Sequence, residues 1–291
     1  MLQYIGKVKF RISFSGEVDN MKRLRALPLL LFMCICTGCG AGTIAGTETV
    51  PEVSAVSAET SSVTTAASET AAEETPPPSR DIDPSKPVIA LTFDDGPNTS
   101  ATPRVLDRLE KYDVPATFFL IGNNINETSG EQVKRAYSMG CEIECHSLTH
   151  SYMDKMSAED IRAEISETSD RIYDLVGRRP EFFRPPYIAV NRVMYDNIDM
   201  TFISGFTVND WEPSVSAEER ANGVLDKAKD GAVILLHDMD NNFKTVEALD
   251  TIIPGLQEKG YQLVTVSQLF EAKGKDPKSG AYRGRVISIV D

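Results

Sequence analysis

Residues 88–97 read VIALTFDDGP, an apolar run that ends in two adjacent carboxylates and a Gly-Pro pair. The first six residues carry no charge and are rich in β-branched and aromatic side chains, a pattern that predicts a strand buried on both faces. Strands of this kind occur in parallel sheets that helices cover. Asp94, Asp95 and Gly96 then predict a turn at the carboxyl end of the strand, where parallel α/β folds carry their functional side chains.

Strand and helix patterns alternate through the rest of the chain. Further strands are predicted at residues 116–121, 142–145, 182–183, 201–208, 232–236 and 262–266. Helices are predicted to begin at Thr102, Ser129, Ser157 and Ser216. The alternation indicates right-handed βαβ units, a parallel sheet and the α/β class. About seven units fit in residues 81–291, which predicts a distorted, incomplete (β/α)7 barrel, since a full eightfold barrel usually takes around 250 residues.

The composition argues against one class of function. Of the 291 residues, 41% are hydrophobic and 25% are charged, the balance of a globular protein with a sizeable core. Acidic side chains number 43 and basic side chains 30, which gives a net charge of −13. Nucleic-acid binders take much of their affinity from Lys and Arg on backbone phosphates, so this acidic chain is not expected to bind DNA or RNA.

Two of the three histidines lie in the segment HSLTH, residues 146–150. In an extended strand their Cα atoms would be about 13 Å apart, too far for one ion with metal–nitrogen bonds near 2.1 Å, so a turn or loop is expected here. Two imidazoles and one carboxylate of the Asp94-Asp95 pair have the composition of a catalytic zinc site with open positions. Taken alone, each motif has a plainer interpretation, a surface coincidence or an ordinary turn.

Three other segments also follow predicted strands. His237 is a candidate proton donor if a hydrolytic metal site exists, or a histidine that merely packs at a strand end. The segment RPPY, residues 184–187, supplies a guanidinium that can pair with a carboxylate and a Tyr187 N–H that can face an oxyanion, or else it only turns the chain. Asp210 precedes Trp211, the only tryptophan, which either packs or offers a platform to a sugar ring.

Five motifs now stand in a recognisable order along the chain. They are TFDDGP at 92–97, HSxxH at 146–150, RPPY at 184–187, DW at 210–211 and LxHD at 235–238. Over residues 81–291 the sequence resembles the polysaccharide deacetylases with the NodB-homology domain, carbohydrate esterase family four. The resemblance implies a distorted seven-unit barrel and a divalent metal, usually zinc, with cobalt or another divalent ion as alternatives. It also implies removal of acetyl groups from N-acetylated sugars or, in some members, from acetylated xylan.

The resemblance also implies a role for each motif residue. Asp95, His146 and His150 would be the metal ligands. The catalytic residues would be Asp94 as general base, Arg184 as its orienting partner, His237 as general acid and Asp210 as the group that positions His237. Tyr187 through its N–H, Trp211 and Leu235 would form the acetyl-binding pocket. Cys145 and Glu144 depart from the family pattern. The Cys145 thiolate is a possible further metal ligand, and the bulk of Glu144 would narrow the cleft.

The first 80 residues predict export. MKRLR at residues 21–25 precedes about eleven mostly apolar residues, the pattern of an export signal and too short for a membrane span of about 20 residues. TGCG at residues 37–40 resembles a bacterial lipobox, so Cys39 is the predicted lipidation site, with cleavage without lipid or an uncleaved anchor as alternatives. We expect an N-terminal extension and signal at 1–39, a disordered Ser/Thr/Ala/Glu/Pro linker at 40–80 and a catalytic domain at 81–291.

Together these features predict an exported, monomeric bacterial lipoprotein at the cell surface, held to the membrane by its lipid. The predicted activity is metal-dependent hydrolysis of linear amides, namely N-acetyl groups of a polysaccharide, with peptidoglycan N-acetylglucosamine as the first candidate. Chitin oligomers and acetylxylan are alternative substrates. A carbohydrate-binding protein with an inactive site and a small-molecule amidase are alternatives of other classes.

Overall fold

The computed structural model of the protein describes residues 81–291. The predicted signal, the predicted linker and Cys39 lie outside these residues. Eight strands form one sheet: β1 (Val88–Asp94), β2 (Thr117–Leu120), β3 (Glu142–Cys145), β4 (Phe182–Phe183), β5 (Thr201–Ile203), β6 (Val233–His237), β7 (Gln262–Val264) and β8 (Val286–Ile287). All named pairs are parallel, in the order β6-β1-β2-β3-β4-β5-β8, and β7 also pairs with β1. This curled sheet of parallel strands confirms the predicted incomplete barrel.

Helices lie between the strands and cover the sheet. They are α1 (Thr102–Tyr112), α2 (Glu127–Ser138), α3 (Ala158–Val176), α4 (Arg192–Asn197), α5 (Ala217–Lys227), α6 (Phe243–Glu258) and α7 (Val266–Ala272). Ser157 and Ser216 cap α3 and α5 as their sequences predict. The predicted start of α2 is wrong, because Asn126 caps this helix, with Ser129 as its reciprocal partner. Helix α1 begins at Thr102 as predicted, although the Thr102 side chain does not cap it. No helix among residues 81–291 has the length and apolar character to cross a membrane.

The alternation of side chains along β1 explains why this strand is apolar throughout. Ile89, Leu91 and Phe93 belong to the core cluster that includes residues of α1 and α6. Val88 and Ala90 belong to a second cluster, which takes one residue from each of several other strands and therefore fills the barrel interior. Because successive side chains alternate between the two faces, Asp94 projects to the interior face at the carboxyl end of the strand.

The C-terminal segment lies in the gap between β5 and β6. Strand β8 pairs with β5, and Ile289 bridges Ala232 immediately before β6. The N–H of Val290 donates to the carbonyl of Gly231 at 2.8 Å. Gly231 has φ +80, and a Cβ there would be 2.2 Å from the Val290 carbonyl oxygen, so this close approach requires glycine. The strand predicted at residues 201–208 is shorter in the structure, where β5 ends at Ile203.

Candidate active site

The predicted site residues meet at the carboxyl ends of the barrel strands. A cleft of about 480 Å³ opens there. Eight of the predicted residues line it: Asp94, Asp95, His146, His150, Tyr187, Trp211, Leu235 and His237. The other two in this part of the chain, Arg184 and Asp210, are fully buried behind it. The predicted residues, from five separate segments, therefore surround a single cavity.

Asp95, His146 and His150 form the one group of potential metal ligands found among the described residues, with their ligand atoms all within 4.8 Å of one another. Asp95 Oδ1 lies 3.5 Å from Nε2 of His146 and 3.3 Å from Nε2 of His150. Within residues 81–291, this oxygen is one of three buried side-chain atoms without a hydrogen-bond partner. A buried carboxylate oxygen is costly unless a cation or donor satisfies it, so the three side chains fit a divalent ion.

The neighbours of these ligands prepare them for a cation. Nδ1 of His146 lies 2.7 Å from the carbonyl oxygen of Arg184, which can only accept, so Nδ1 carries the proton and Nε2 keeps its lone pair toward Asp95. Burial and the neighbouring His146 lower the pKa of His150, which favours the neutral, ligating form. Burial would raise the pKa of Asp95, but the interactions with His146, His237 and His150 together outweigh burial and lower it.

A loop after β3 brings the two imidazoles together, as their spacing requires. The backbone turns through Ser147 (φ 69) and His150 (φ 57), and the N–H of His150 donates to the Ser147 hydroxyl at 3.0 Å. Buried Glu164 of α3 accepts from the N–H groups of Leu148 and Thr149 at 2.8 and 2.9 Å, and from the Thr149 hydroxyl at 2.7 Å. Glu164 thus holds the loop that connects the two histidines.

Asp94 and Arg184 form a buried ion pair on one side of the ligand cluster. Nη1 of Arg184 donates to Asp94 Oδ1 at 2.5 Å and to the Thr92 hydroxyl at 2.8 Å. The guanidinium carbon also lies 3.9 Å from the centre of the Phe119 ring. Since Oδ1 is engaged by Arg184, Oδ2 of Asp94 remains to act on a group in the cleft; it lies 3.9 Å from Nε2 of His146.

His237 and Asp210 form the second pair across the cleft. Nδ1 of His237 lies 2.8 Å from Asp210 Oδ1, and the His237 backbone N–H donates to Asp210 Oδ2 at 2.8 Å. Burial alone would lower the pKa of His237, but its hydrogen bond to Asp210 and the negative charges of Asp210, Asp94 and Asp95 outweigh burial and raise it to about 9. The imidazole therefore carries its proton at neutral pH, as a general acid must.

Aromatic side chains border the cleft. Tyr187 is 55% exposed and its ring meets that of His150 edge-on, while the ring of Trp211 meets that of His237 in the same way. Tyr187 has φ 58, a left-handed conformation that is rare for a bulky residue and common at functional sites. Leu235 lines the cavity floor between these walls. Their predicted part in binding an acetyl group remains a prediction.

The side chains of Cys145 and Glu144, the two residues that depart from the family pattern, lie away from the cleft. Cys145 packs among Met153, Ile161 and Phe183, on the opposite face of the strand from His146, and burial raises the pKa of its thiol to about 12. A thiolate ligand from Cys145 is therefore wrong. Glu144 is buried too, and accepts from the N–H of Phe182 at 2.7 Å, so it supports the start of β4 instead of narrowing the cleft.

Several residues that support the site carry no sequence motif. They are Glu164 on α3, Arg220 on α5, and Asn242 and Thr245 at the start of α6. One signal was present for Glu164: it lies three residues after Ile161 on the apolar stripe of α3, where a charged side chain is unusual unless it is paired. Polar residues that face solvent commonly fill the positions of Arg220, Asn242 and Thr245 in or beside a helix. The sequence pattern therefore does not distinguish these three from exposed residues.

The comparisons with known proteins agree with this geometry. A family model described as polysaccharide deacetylase matches residues 81–201. A bifunctional xylanase/deacetylase of Pseudobutyrivibrio xylanivorans is 56% identical over 190 residues, which cover 65% of this chain and 31% of that protein. A peptidoglycan-N-acetylglucosamine deacetylase of Listeria monocytogenes is 37% identical over 186 residues, 64% of this chain and 39% of that protein. The chain thus spans about a third of the length of these curated relatives.

A solved structure matches over nearly its whole length. It is a family 4 acetyl xylan esterase from Clostridium thermocellum in complex with a cobalt ion, and it is 42% identical to this chain. The match covers 70% of this chain and 98% of that one, with a TM-score of 0.67.

Proposed function

The chain belongs to the polysaccharide deacetylase family, carbohydrate esterase family four, and from this premise we propose that it hydrolyses acetyl groups on a polysaccharide with the help of a divalent metal. One observation carries the proposal: a buried carboxylate oxygen of Asp95 without a hydrogen-bond partner faces two imidazoles. An arginine-paired carboxylate, Asp94, and an aspartate-paired imidazole, His237, lie beside it in the same cleft.

The chain's own residues supply the proton transfers. When bound, a divalent ion would polarise the acetyl carbonyl and make a water molecule more acidic. Asp94 accepts the proton of the attacking water at Oδ2, because Arg184 already occupies Oδ1. His237 donates its Nε2 proton to the leaving oxygen or nitrogen as the bond to the acetyl carbon breaks. The products are acetate and a free hydroxyl or amine on the sugar.

For the substrate we propose two candidates. Acetylated xylan is favoured by the identity of 56% to a bifunctional xylanase/deacetylase and of 42% to an acetyl xylan esterase. Peptidoglycan N-acetylglucosamine, the candidate predicted from the sequence, is favoured by the relative of 37% identity and by the export signal predicted within residues 1–39. Chitin oligomers share the N-acetylglucosamine unit and stand behind these two.

We further propose zinc as the resident ion, a monomeric chain and attachment to the outer surface of the bacterial membrane through lipidated Cys39. Two imidazoles and one carboxylate are a donor set that suits catalytic zinc, and the cobalt of the related esterase makes cobalt the alternative. The small residues around Cys39 and the preceding apolar run support lipidation and export.

Acetate release separates the candidate substrates. The zinc-loaded protein is incubated with acetylated xylo-oligosaccharides, with muropeptides and with chitin oligomers, and acetate is measured enzymatically. We expect acetate from one of these, and none from the Asp95→Ala variant. Release of acetate from none of the three, by protein that has retained its metal, would contradict the proposed function. Oligomer binding without acetate release would favour the inactive carbohydrate-binding alternative.

A further inference from the structure

Two arginines are the largest fully buried side chains among residues 81–291. Arg184 contacts Asp94 directly. Arg220 of α5 carries the same charge on the other side of the site, but within the described part of the chain it contacts no carboxylate at salt-bridge distance; its partners are carbonyl, amide and hydroxyl oxygens. Burial lowers the pKa of Arg220, and the negative charge of Asp210 opposes that shift, so the guanidinium and Asp210 interact electrostatically. A buried cation is costly unless its donors are satisfied, which makes the partners of Arg220 informative.

The guanidinium of Arg220 donates four hydrogen bonds. Nε donates to the carbonyl of Val215 at 3.2 Å and Nη2 to the carbonyl of Glu212 at 3.0 Å. Nη1 donates to Asn242 Oδ1 at 2.7 Å and to the Thr245 hydroxyl at 2.9 Å. Because a guanidinium can only donate, these contacts orient the groups that accept from it. Asn242 must present its carbonyl oxygen to Arg220 and its amide nitrogen elsewhere.

The Thr245 hydroxyl has three partners, and their chemistry fixes its single proton. It accepts from Arg220, and it accepts from Asn242 Nδ2 at 3.0 Å, because that nitrogen is a donor. Its third partner is Asp210 Oδ2 at 2.8 Å. A hydroxyl offers one donor and two acceptor sites, so both acceptor sites are filled and the proton must lie toward Asp210. Arg220 and Asn242 therefore turn Thr245 into a donor to the carboxylate.

Asp210 is in turn fixed as an acceptor. Oδ2 receives the Thr245 hydroxyl and the backbone N–H of His237, and Oδ1 faces Nδ1 of His237. Since the carboxylate offers only acceptor oxygens to its neighbours, Nδ1 of His237 is the atom that carries a proton toward Asp210. Asn242 Nδ2 also donates to the His237 carbonyl at 2.9 Å, which holds the backbone of the same residue. Nε2 then carries the transferable proton when the imidazole is protonated, and the lone pair when it is neutral.

We propose that Arg220 and Thr245 are positioning residues that fix the tautomer of His237, so that Nε2 delivers the proton to the leaving group. Neither residue lines the cleft, and both act through Asp210. This inference rests on the proposed function only in giving His237 the part of general acid. The arrangement of protons follows from the donors and acceptors themselves and can be tested separately.

The leaving group distinguishes this role from a structural one. Release of a sugar hydroxyl or amine needs a proton from His237, whereas release of 4-nitrophenolate from 4-nitrophenyl acetate does not. Thr245→Val removes the hydroxyl at nearly constant volume, and Arg220→Met removes the cation. For each variant we expect kcat to fall by roughly 10- to 100-fold on the acetylated oligosaccharide that the wild type cleaves. This loss is part of the rate enhancement that general acid catalysis contributes. KM on that substrate and the rate on 4-nitrophenyl acetate should each change by less than about 2-fold, because neither depends on protonating the leaving group.

Two further variants serve as controls. Thr245→Ser keeps the hydroxyl and should restore kcat. Thr201→Val removes a partly buried hydroxyl hydrogen bond to the carbonyl of Pro277 at the opposite end of the barrel, and should leave both activities unchanged. Equal losses on the two substrates would show general structural damage and overturn the proposal, as would full activity of Thr245→Val on the oligosaccharide.

Nitrogen NMR of the imidazoles tests the tautomer without turnover. The chain has three histidines, so the ring signals of ¹⁵N-histidine-labelled, zinc-loaded protein can be assigned by mutation. Above the pKa of His237, the wild type should show one neutral tautomer with the proton on Nδ1, and Thr245→Val a mixture of both. A single Nδ1-protonated form in both proteins would overturn the proposal. If the wild type cleaves 4-nitrophenyl acetate but no acetylated saccharide, the proposed function fails while this measurement still decides the inference.

Discussion

Replacing Asp210 by asparagine should lower the activity, and the loss relative to the wild type should grow as the pH rises. Asp210 is fully buried and bonds His237 through both carboxylate oxygens, and it is the main reason that the pKa of His237 is raised to about 9. Because a raised pKa keeps the imidazole protonated below that value, the wild type holds its general acid ready at neutral pH and loses it as the pH rises through 9. Without the Asp210 carboxylate, only the negative charges of Asp94 and Asp95 oppose the effect of burial, so the pKa of His237 should fall toward its ordinary 6.5.

The size of the effect follows from the two pKa values. With a pKa of about 9 the imidazole is about 91% protonated at pH 8 and essentially fully protonated at pH 6. With a pKa of 6.5 it is about 3% protonated at pH 8 and about 76% at pH 6. The ratio of wild-type to variant activity should therefore grow about 20-fold between pH 6 and pH 8. A bound ion shifts the pKa in both proteins in the same direction, so this change in ratio is a better measure than either profile alone.

The assay is kcat/KM for acetate release from the acetylated oligosaccharide between pH 5.5 and 9.5, with metal content measured at each pH. Asp196→Asn is the matched control, because Asp196 is an exposed carboxylate paired only with Arg192. Its profile should coincide with that of the wild type. A ratio between the wild type and Asp210→Asn that stays constant with pH would refute the reasoning, since it would mean that Asp210 does not set the protonation of His237.

Three further predictions concern the metal and the fold. Asp95→Ala should abolish both retained zinc and turnover, measured by elemental analysis and acetate release, since it removes the oxygen that faces both imidazoles; zinc at wild-type stoichiometry would contradict the ligand assignment. Glu164→Ala should weaken zinc affinity by about 10- to 100-fold in a chelator competition, as for other groups that orient ligands, whereas Glu167→Ala, an exposed neighbour on α3, should not. Gly231→Ala should lower the free energy of unfolding in urea by more than about 1 kcal/mol, because its left-handed backbone and the Val290 carbonyl both exclude a Cβ; an unchanged unfolding midpoint would contradict the close approach.

The barrel and the ligand cluster were predictable because each depends on a local pattern. The apolar strand at 88–94 and its carboxylates are adjacent in sequence, and strand ends in a parallel sheet meet at one edge whatever the loops between them do. His146 and His150 are four residues apart, so their spacing alone requires a turned backbone. The caps of α1 and α2 were less predictable: Asn126 instead of Ser129 caps α2, and Thr102 donates its hydroxyl to Asp238, 136 residues away, instead of capping α1.

The supporting residues were not predictable because their partners are distant in the chain. Arg220 meets Asn242 and Thr245 only after α5 and α6 pack together. In sequence, an arginine in the first turn of an amphipathic helix resembles any solvent-exposed charge. Cys145 shows the converse error: it stands next to His146, a predicted ligand, yet the alternation of side chains along β3 turns its sulfur away from the site.

The two buried arginines support their carboxylates in different ways, and the difference matches the chemistry asked of each. Arg184 touches Asp94 directly, which uses one oxygen and leaves the other to accept a proton from water. A direct contact between Arg220 and Asp210 would take an oxygen that His237 needs, and it would bring a positive charge close to an imidazole that must remain protonated. With the neutral hydroxyl of Thr245 between them, both oxygens of Asp210 stay bonded to His237, while the cation still balances the buried charge from a greater distance. Moving the Arg220 guanidinium into direct contact with Asp210 should therefore lower the protonated fraction of His237 at neutral pH, whereas the direct contact of Arg184 leaves Asp94 Oδ2 available to accept a proton.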